Sequence, residues 1–573
     1  MNYRLKQILP VSLSLSFLLN LSIFALAQQN AAKPNILWVV CEDISPYLSC
    51  YGNSLVKTPN IDKLAKEGVR YTNVYTTAGV CAPSRSSIIT GMYQTSIGTH
   101  NMRTLNGAAG AKYSPVADYS AVIPEQVKCF PEFLRLNNYY CTNNEKQDYQ
   151  FVAPVTAWDE SSPAASWRNR PTNKPFFSVH NFFITHESQI YARNKESLLV
   201  DTDKIIVPPF YADTKIVRHD MSRLFSNIER MDVQVGELIQ MLKDDGLYDK
   251  TIIFFYSDHG GSLPWMKREI LERGIHIPLI IRFPNGQNAG KVNDDMISSV
   301  DFAPTVLSLA HVKLPTYLQG QAFLGDAKSK TPRKYIYAGR DRMDTEYDRV
   351  RAIRDKHFEY LYNYEPNKPY YQNIEFRLSL PMMKEFLQLR DEGKLNAVQM
   401  AWFKSKPIEE LYNIDNDPHE LHNLATDPKF KTKLEELRSA LQTWTKQVGD
   451  MGSTPEKEMV ANWWHGQKEP PATDTPKIIK TPKGVIIQCA TKGASIGYRI
   501  VKAGGETADV HKVISWDMGV LLNPKLKNGL EIPAQPIWQV YGGKPIPLSI
   551  GDTLKVNALR IGFKAATIDY VSH

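Results

Sequence analysis

Short, unbroken apolar runs alternate with amphipathic stretches along most of this chain. Residues 35–40 (NILWVV) follow Pro34 and stop abruptly at Cys41-Glu42-Asp43. Runs apolar at every position read as strands buried on both faces, the habit of parallel sheets. Two more share the plan: residues 175–184 run into Thr185-His186-Glu187, and residues 251–256 into Ser257-Asp258-His259-Gly260-Gly261. In each, charge and imidazole stand where the strand stops. Between the last two, Met221, Leu224, Ile228, Met231, Val235, Leu238 and Leu242 recur at steps of three and four, one face of a helix packed on the sheet. The alternation predicts an α/β domain with a mostly parallel central sheet flanked by helices. Ligands in such folds bind beyond the carboxyl ends of the strands, so Glu42, Asp43, His186, Asp258 and His259 are expected to converge on one edge.

The pattern changes further on. Residues 351–363 and 408–423 read as strands and turns of a smaller α+β unit, closed by a helix near 428–448. Residues 452–483 are rich in Pro and polar side chains and read as a linker or extended crossing. From Gly484, β-prone runs alternate with Gly and Pro turns, the pattern of a small all-β module. The expected division is a leader at 1–27, an α/β domain at 33–335, the α+β unit at 336–450, a linker at 451–483 and the β module at 484–573. In that module Trp516, Trp538 and Tyr541 read as core aromatics, with stacking on sugar rings as the alternative.

Residues 1–27 place Arg4 and Lys6 before an apolar stretch that ends in Ala25-Leu26-Ala27, the anatomy of a cleavable secretory signal. A secreted or periplasmic protein without stable membrane insertion is therefore expected. With 573 residues, 43% hydrophobic and 22% charged, the chain is long enough for several folded domains. Its net charge of +8 falls to +6 once Arg4 and Lys6 are removed. No dense basic block accompanies it, which argues against nucleic acid, whereas a mild positive balance suits anionic small molecules or glycans. Six cysteines (41, 50, 81, 129, 141 and 489) are too few and too irregular for a disulfide framework or a zinc cluster. One or two disulfides would suit an exported chain, Cys41–Cys50 and Cys129–Cys141 being nearest in sequence.

Chemistry enters at the strand ends. Glu42, Asp43 and Asp258 in one crevice would repel one another unless a cation neutralises them, and hard oxygen donors favour Ca²⁺ or Mg²⁺. A histidine is atypical around such an ion, so His259 could instead hold a substrate oxygen. Cys81, in VCAPSRSSIITG, falls at a predicted helix N-terminus, where positive potential lowers a thiol pKa. The competing reading is a small buried hydrophobe.

The Cys81-Ala82-Pro83-Ser84-Arg85 string resembles the modification motif of the type I sulfatases. From Pro34 to Val448 the segments PNILWVVCED, TPNIDKLAKEGVRYTNVYTT, CAPSRSSIITG, FFYSDHGG, IPLIIRFP, SVDFAPTVLSLA and LYNIDNDPHELHNLATDP look like sulfatase segments in the family's order. The resemblance implies an alkaline-phosphatase-like fold. It also implies oxidation of Cys81 to formylglycine, whose hydrate is the nucleophile, by a formylglycine-generating or anaerobic sulfatase-maturing enzyme. The implied metal ligands are Glu42, Asp43, Asp258, His259 and the modified Cys81, with Glu42 departing from the commoner aspartate. Lys146 and Lys267 match the sulfate-binding lysines, His186 an acid or substrate clamp, and Arg85 the residue that stabilises the modified side chain. Where many relatives carry Lys-x-His, this chain has Lys146-Gln147-Asp148.

The short spacing from Asp258-His259 to Lys267 is similar to the heparan N-sulfatase-like branch, which implies a sulfated carbohydrate substrate and exo action. His100, Arg103 and Arg342 are the candidate sugar contacts. Alternatives are an N-sulfoglucosamine sulfamidase, a phosphonate monoester hydrolase or phosphodiesterase of the same superfamily, and a noncatalytic glycan-binding protein.

Overall fold

The computed structural model describes residues 33–105, 114–505, 510–512 and 531–573. The leader at 1–27 and Trp516 lie outside the described residues. Strand β1 (Asn35–Cys41) runs through the middle of an eight-stranded sheet. On one side lie β5 (Phe176–Phe182), β3 (Tyr140–Asn144) and the short β4 (Glu160–Ser161), and on the other β6 (Thr251–Ser257), β7 (Leu279–Arg282), β2 (Val69–Tyr75) and β8 (Lys291–Ser298). Only β7 runs against its neighbours; the remaining pairs are parallel. The expected α/β architecture is present.

Every position of β1 after Asn35 is buried because both faces are covered. Leu37 and Val39 point into a core completed by α3 (Lys215–Asp244), whose stripe from Met221 to Leu242 is buried. Ile36, Trp38 and Val40 point the other way, toward α4 (Phe302–Leu309). Trp38 anchors that side, its ring 5.0 Å from Phe177 and 5.3 Å from Tyr256. Helix α1 (Pro59–Glu67) is held to α3 through its own free amides: Asp232 accepts from Ile61 N–H at 2.8 Å and Asn60 N–H at 3.2 Å. In-register pairing of Cys41 with both Phe182 and Ser257 ends three strands at one level. That shared register brings residues 42–43, 183–187 and 258–259 to one edge.

A four-stranded antiparallel sheet follows: β9 (Ile336–Met343), β10 (Glu346–Arg354), β11 (Phe358–Asn363) and β12 (Glu409–Asn413), in spatial order β12-β11-β10-β9. Helix α5 (Lys431–Val448) covers one face with Leu434, Leu437, Leu441 and Trp444. Arg354 ties this unit to the first, 2.7 Å from Glu272.

The stretch read as a linker is structured. It contains α6 (Glu456–Trp463) and β13 (Lys477–Thr481). Its polar composition concealed a buried anchor, Glu456, which accepts from Arg342 at 2.6 and 2.8 Å. Strand β13 forms a hairpin with β14 (Gly484–Gln488). Beyond it come β15 (Ser495–Val501), β16 (Val510–Lys512), β17 (Glu531–Pro533), β18 (Gln539–Val540), β19 (Thr553–Leu559) and β20 (Ala566–Val571). The four strands β18-β15-β19-β20 form one antiparallel sheet and β16 pairs with β17. The module leans on the α/β domain, Lys128 donating to Gly493 O at 2.6 Å and Ser495 Oγ at 3.0 Å. Trp538 packs its ring against Arg499, and Tyr541 Oη accepts from Ile487 N–H.

All six cysteines are free thiols, so neither expected pairing forms; Cys129 and Cys141 are core side chains packed among aromatics. Among the described residues no helix is long and apolar enough to cross a membrane.

His180 on β5 is buried beside Trp167, and neither ring nitrogen has a partner. Burial pushes its pKa down to about 3. An unfolded histidine titrates near ~6.5, so as pH falls below that value the unfolded chain takes up a proton the fold refuses. Stability is therefore lost with falling pH, by up to about 1.4 kcal/mol per unit from this site. His180→Leu is expected to raise stability and flatten the pH dependence of the urea unfolding free energy in that window. Parallel pH profiles for the two proteins would refute the assignment.

Candidate active site

The sheet edge gathers its acids by chain geometry. Asp43 takes a left-handed backbone, φ 57°, immediately after β1, a conformation its short side chain tolerates. This turns the carboxylate across toward β6: Asp43 N–H donates to Asp258 Oδ1 at 3.2 Å, and Asp43 Oδ1 lies 2.9 Å from His259 Nε2. Glu42, Asp43, Asp258 and His259 are fully buried.

Helix α2 (Cys81–Thr90) enters this edge with Cys81 as its first residue and Gly91, φ 66°, ending it in the left-handed region. Cys81 Sγ stands 3.4 Å from His259 Nε2 and 4.0 Å from Asp43 Oδ1. One turn on, Arg85 Nε donates to Asp258 Oδ2 at 2.9 Å and Nη1 to Asn181 Oδ1 at 2.8 Å. Ser84 Oγ donates to Asp258 O at 2.6 Å, so the helix start and the β6 end are locked together.

Two lysines reach in from separate loops. Lys146, just past β3, donates to Glu42 Oε2 at 2.7 Å. Lys267 donates to Asp43 Oδ2 and lies 3.1 Å from Glu187 Oε1. Its turn is held to the Cys81 loop by Arg268 N–H, which donates to Gly79 O at 2.7 Å. Trp265 and Arg268 in this turn also have positive φ, 59° and 75°. Such backbone costs about 1–3 kcal/mol per residue and persists only where surroundings enforce it. Arg268 clamps Glu187 at 2.7 and 2.9 Å, and Glu187 N–H donates to Asp43 Oδ2 at 2.8 Å.

Electrostatics divide the acids. Burial opposes charge on Asp43, but Lys267 foremost, with His259, holds its pKa well below the usual carboxylate range. Asp258 is also held low against burial, by His259, Arg85 and Lys146. Burial wins at Glu42, whose pKa is raised despite Lys146 and Arg85. His259, desolvated but facing Asp258 and Asp43, is pushed up to about 10. Burial and then Lys267 push His186 well below the ordinary imidazole value, so it is neutral. Its Nδ1 accepts from Ser188 N–H at 3.2 Å, which leaves the proton on Nε2.

These residues fit a hard divalent cation. Donor atoms of Asp43, Cys81, Asp258 and His259 lie within 4.8 Å of one another, as do those of Glu42, Asp43, Cys81 and His186. Glu42 Oε1 is buried without a hydrogen-bond partner, an orphaned oxygen that a cation would satisfy.

The structure thus brings together Glu42, Asp43, Cys81, Arg85, Lys146, His186, Asp258, His259 and Lys267. It does not bring the three candidate sugar contacts there. Arg342 is wholly buried and committed to Glu456. Arg103 Nε donates to Asp344 at 2.6 Å, its guanidinium over Phe376. His100 lines a separate polar cavity of about 130 Å³ with Asp341 and Arg349. Conversely, Asn181, Glu187 and Arg268 belong to the cluster and were not singled out. The last two adjoin His186 and Lys267, a signal that could have found them; Asn181 sits inside an apolar run and gave none.

Comparison with known proteins agrees on one family. The pattern of the family described as Sulfatase matches residues 34–312, and that described as N-sulphoglucosamine sulphohydrolase, C-terminal, matches residues 261–370. The chain is 44% identical over 577 residues to an ulvan-active sulfatase of Formosa agariphila, covering 94% of this chain and 91% of that one. It is 24% identical to the N-sulphoglucosamine sulphohydrolase of Homo sapiens, over 73% of this chain and 91% of the relative. A solved protein in complex with its substrate D-glucosamine-2-N,6-O-disulfate shares the fold with TM-score 0.53 at 18% identity, covering 74% of this chain and all of that one.

Glu187→Gln would leave the buried Lys267 and Arg268 without their shared counter-charge. Breaking a buried pair from one side costs about 3–5 kcal/mol, and urea unfolding at neutral pH is expected to show a loss of that order. A change below about 1 kcal/mol would mean that Asp43 and solvent already balance the two cations.

Proposed function

The chain belongs to the sulfatase family, and from that premise we propose that it is an exo-acting hydrolase that removes sulfate from a sulfated carbohydrate, ulvan-derived oligosaccharides being the first substrates to test. One observation carries the reading. The Cys81 side chain meets three carboxylates and His259, with two lysine ammonium groups close enough to interact with it electrostatically. The near-full-length relative that acts on ulvan supports the choice of substrate.

A sulfate ester is a tetrahedral anion, so its oxygens need positive partners before a nucleophile can approach sulfur. Glu42, Asp43, Asp258 and His259 would hold a Ca²⁺ or Mg²⁺ ion, which supplies charge neutralisation and polarisation when bound. Cys81, oxidised to formylglycine by a maturing enzyme, would supply as its hydrate the attacking hydroxyl. Lys146 and Lys267 bind sulfuryl oxygens from their separate loops. Arg85 fixes Asp258 and, through Asn181, strand β5 on the other side of β1. His186 carries its proton at Nε2 and is placed to donate to the leaving ester oxygen. The Glu187–Arg268 pair keeps Lys267 aimed at the centre.

N-sulfate hydrolysis is the second reading, favoured by the match of residues 261–370 to the N-sulphoglucosamine sulphohydrolase pattern. Assaying N-sulfoglucosamine beside O-sulfated ulvan oligosaccharides separates the two. The leader at 1–27 is consistent with an extracytoplasmic site of action.

Protein matured in its native host is expected to carry, at residue 81, oxygen in place of one sulfur and two hydrogens by peptide mass. It should release sulfate from ulvan oligosaccharides, and Cys81→Ala should lower kcat by at least about a thousandfold. A converted residue 81 with no release from ulvan oligosaccharides or N-sulfoglucosamine would overturn the proposal. Calcium at about a hundred times its Kd should stabilise the fold by roughly 2.7 kcal/mol, seen as a raised Tm that EDTA reverses. Asp258→Asn should abolish the shift; an unchanged shift would place the ion elsewhere.

A further inference from the structure

The α+β unit carries a groove that the catalytic chemistry does not use. Its floor is a row of tyrosines: Tyr360 and Tyr362 on β11 and Tyr364 just beyond its end, side chains at every second residue and therefore on one face. Its wall is a row on α5, Arg438, Gln442 and Lys446, spaced by four and therefore also on one face. Between them lies an open cavity of about 430 Å³, within the range of small-molecule sites.

The two rows differ from an ordinary seam between helix and sheet. Deeper in, Leu434, Leu437 and Leu441 close against the strands as core. At the groove the helix instead offers a guanidinium, an amide and an ammonium, and above the buried Tyr360 the partly exposed Tyr362 and Tyr364 offer phenol rings. Arg438 is already braced, donating to Glu409 at 2.6 and 2.8 Å, while Tyr360 Oη donates to the same carboxylate at 2.5 Å. That bracing neutralises the nearby acid and fixes the wall. Lys446 and Gln442 are exposed, and Tyr364 keeps 38% of its surface exposed. Tyr364 is held rigid from two sides, its ring 4.7 Å from Tyr362 and beneath the Arg349 guanidinium at 3.9 Å. Arg349 also lines the small polar cavity with His100, so its stacking on Tyr364 links the groove's end to a second polar hollow.

Rigid phenol rings beside amide and cationic groups form the complement of an anionic sugar chain. The C–H face of a pyranose is apolar and packs on an aromatic ring, its hydroxyls need donors and acceptors at the ring edge, and its sulfate or carboxylate needs a cation. We propose that this groove is an accessory binding site for a sulfated polysaccharide, holding the polymer while the catalytic centre acts on a chain end. The inference rests on the glycan reading above and extends it to a site that performs no chemistry.

The test uses the full chain with Cys81→Ala, which binds without turnover, in native gels containing ulvan, dextran sulfate or neutral hydroxyethylcellulose. Ulvan should retard the protein most and hydroxyethylcellulose least. Tyr362→Ala/Tyr364→Ala should weaken retardation by ulvan at least fivefold. Lys446→Gln, an exposed change that cannot unfold the unit, should weaken it two- to threefold and reduce its salt dependence. On the active background, the double variant should raise the ratio of KM for polymer to KM for a sulfated disaccharide by a similar factor. Undiminished ulvan retardation in both variants would overturn the site while leaving the sulfatase reading intact. Concentration-dependent dimerisation lost in the double variant would assign the groove to a second copy of the chain and equally overturn it. If the active enzyme releases sulfate from no sulfated sugar, the underlying reading fails instead.

Discussion

Everything at the sheet edge depends on holding Glu42, Asp43 and Asp258 together out of water. Three carboxylates at this separation repel by several kcal/mol in a low-dielectric crevice unless cations are built around them. The fold answers with charge from three directions: Arg85 from a helix start, Lys146 from the end of β3, and Lys267, backed by the Arg268–Glu187 pair, from a strained turn. Arg85 and Lys267 are each pinned by a second contact, to Asn181 and Glu187, and those contacts cross-link segments far apart in the chain. The same network that makes the acids tolerable therefore makes the centre rigid.

This constraint explains features that would otherwise look arbitrary. The left-handed Asp43 aims its carboxylate at β6, the positive φ of Trp265 and Arg268 turns Lys267 inward, and the Gly79 carbonyl ties that turn to the cysteine loop. It also explains why the cysteine sits where it does. A helix N-terminus brings partial positive charge to the crevice beside the Arg85 guanidinium of the same helix. Preorganised in this way, the site pays little reorganisation energy when an anionic group arrives.

The second unit contributes through burial of charge rather than through catalytic groups. Arg340, Arg342, Arg351 and Arg354 on β9 and β10 all end in acids of other segments, among them Glu269, Glu272, Asp450 and Glu456. These ion pairs flank an apolar seam in which Ile336, Val350 and Leu361 share one core with the α/β domain, and they recruit the stretch after residue 450 to the body of the protein. Tyr362 and Tyr364 stay partly exposed because α5 turns polar above the leucines.

Local residue order was enough for the strands, the long amphipathic helix and the meeting of acids and imidazoles at one sheet edge. Burial on both faces demands unbroken apolar runs, and strand ends in a parallel sheet must share an edge. For the same reason Glu42, Asp43, His186, Asp258 and His259 could be expected there before any coordinates. Tertiary structure alone decided the partners. Arg103 and Arg342 look like free sugar-binding cations in sequence, yet packing commits them to Asp344 and Glu456. Asn181 is hidden in an apolar run and still reaches Arg85, and Cys129 and Cys141 stay thiols in a core. Pairing of charges depends on three-dimensional distance and desolvation, and neither is written in the spacing of residues along a chain.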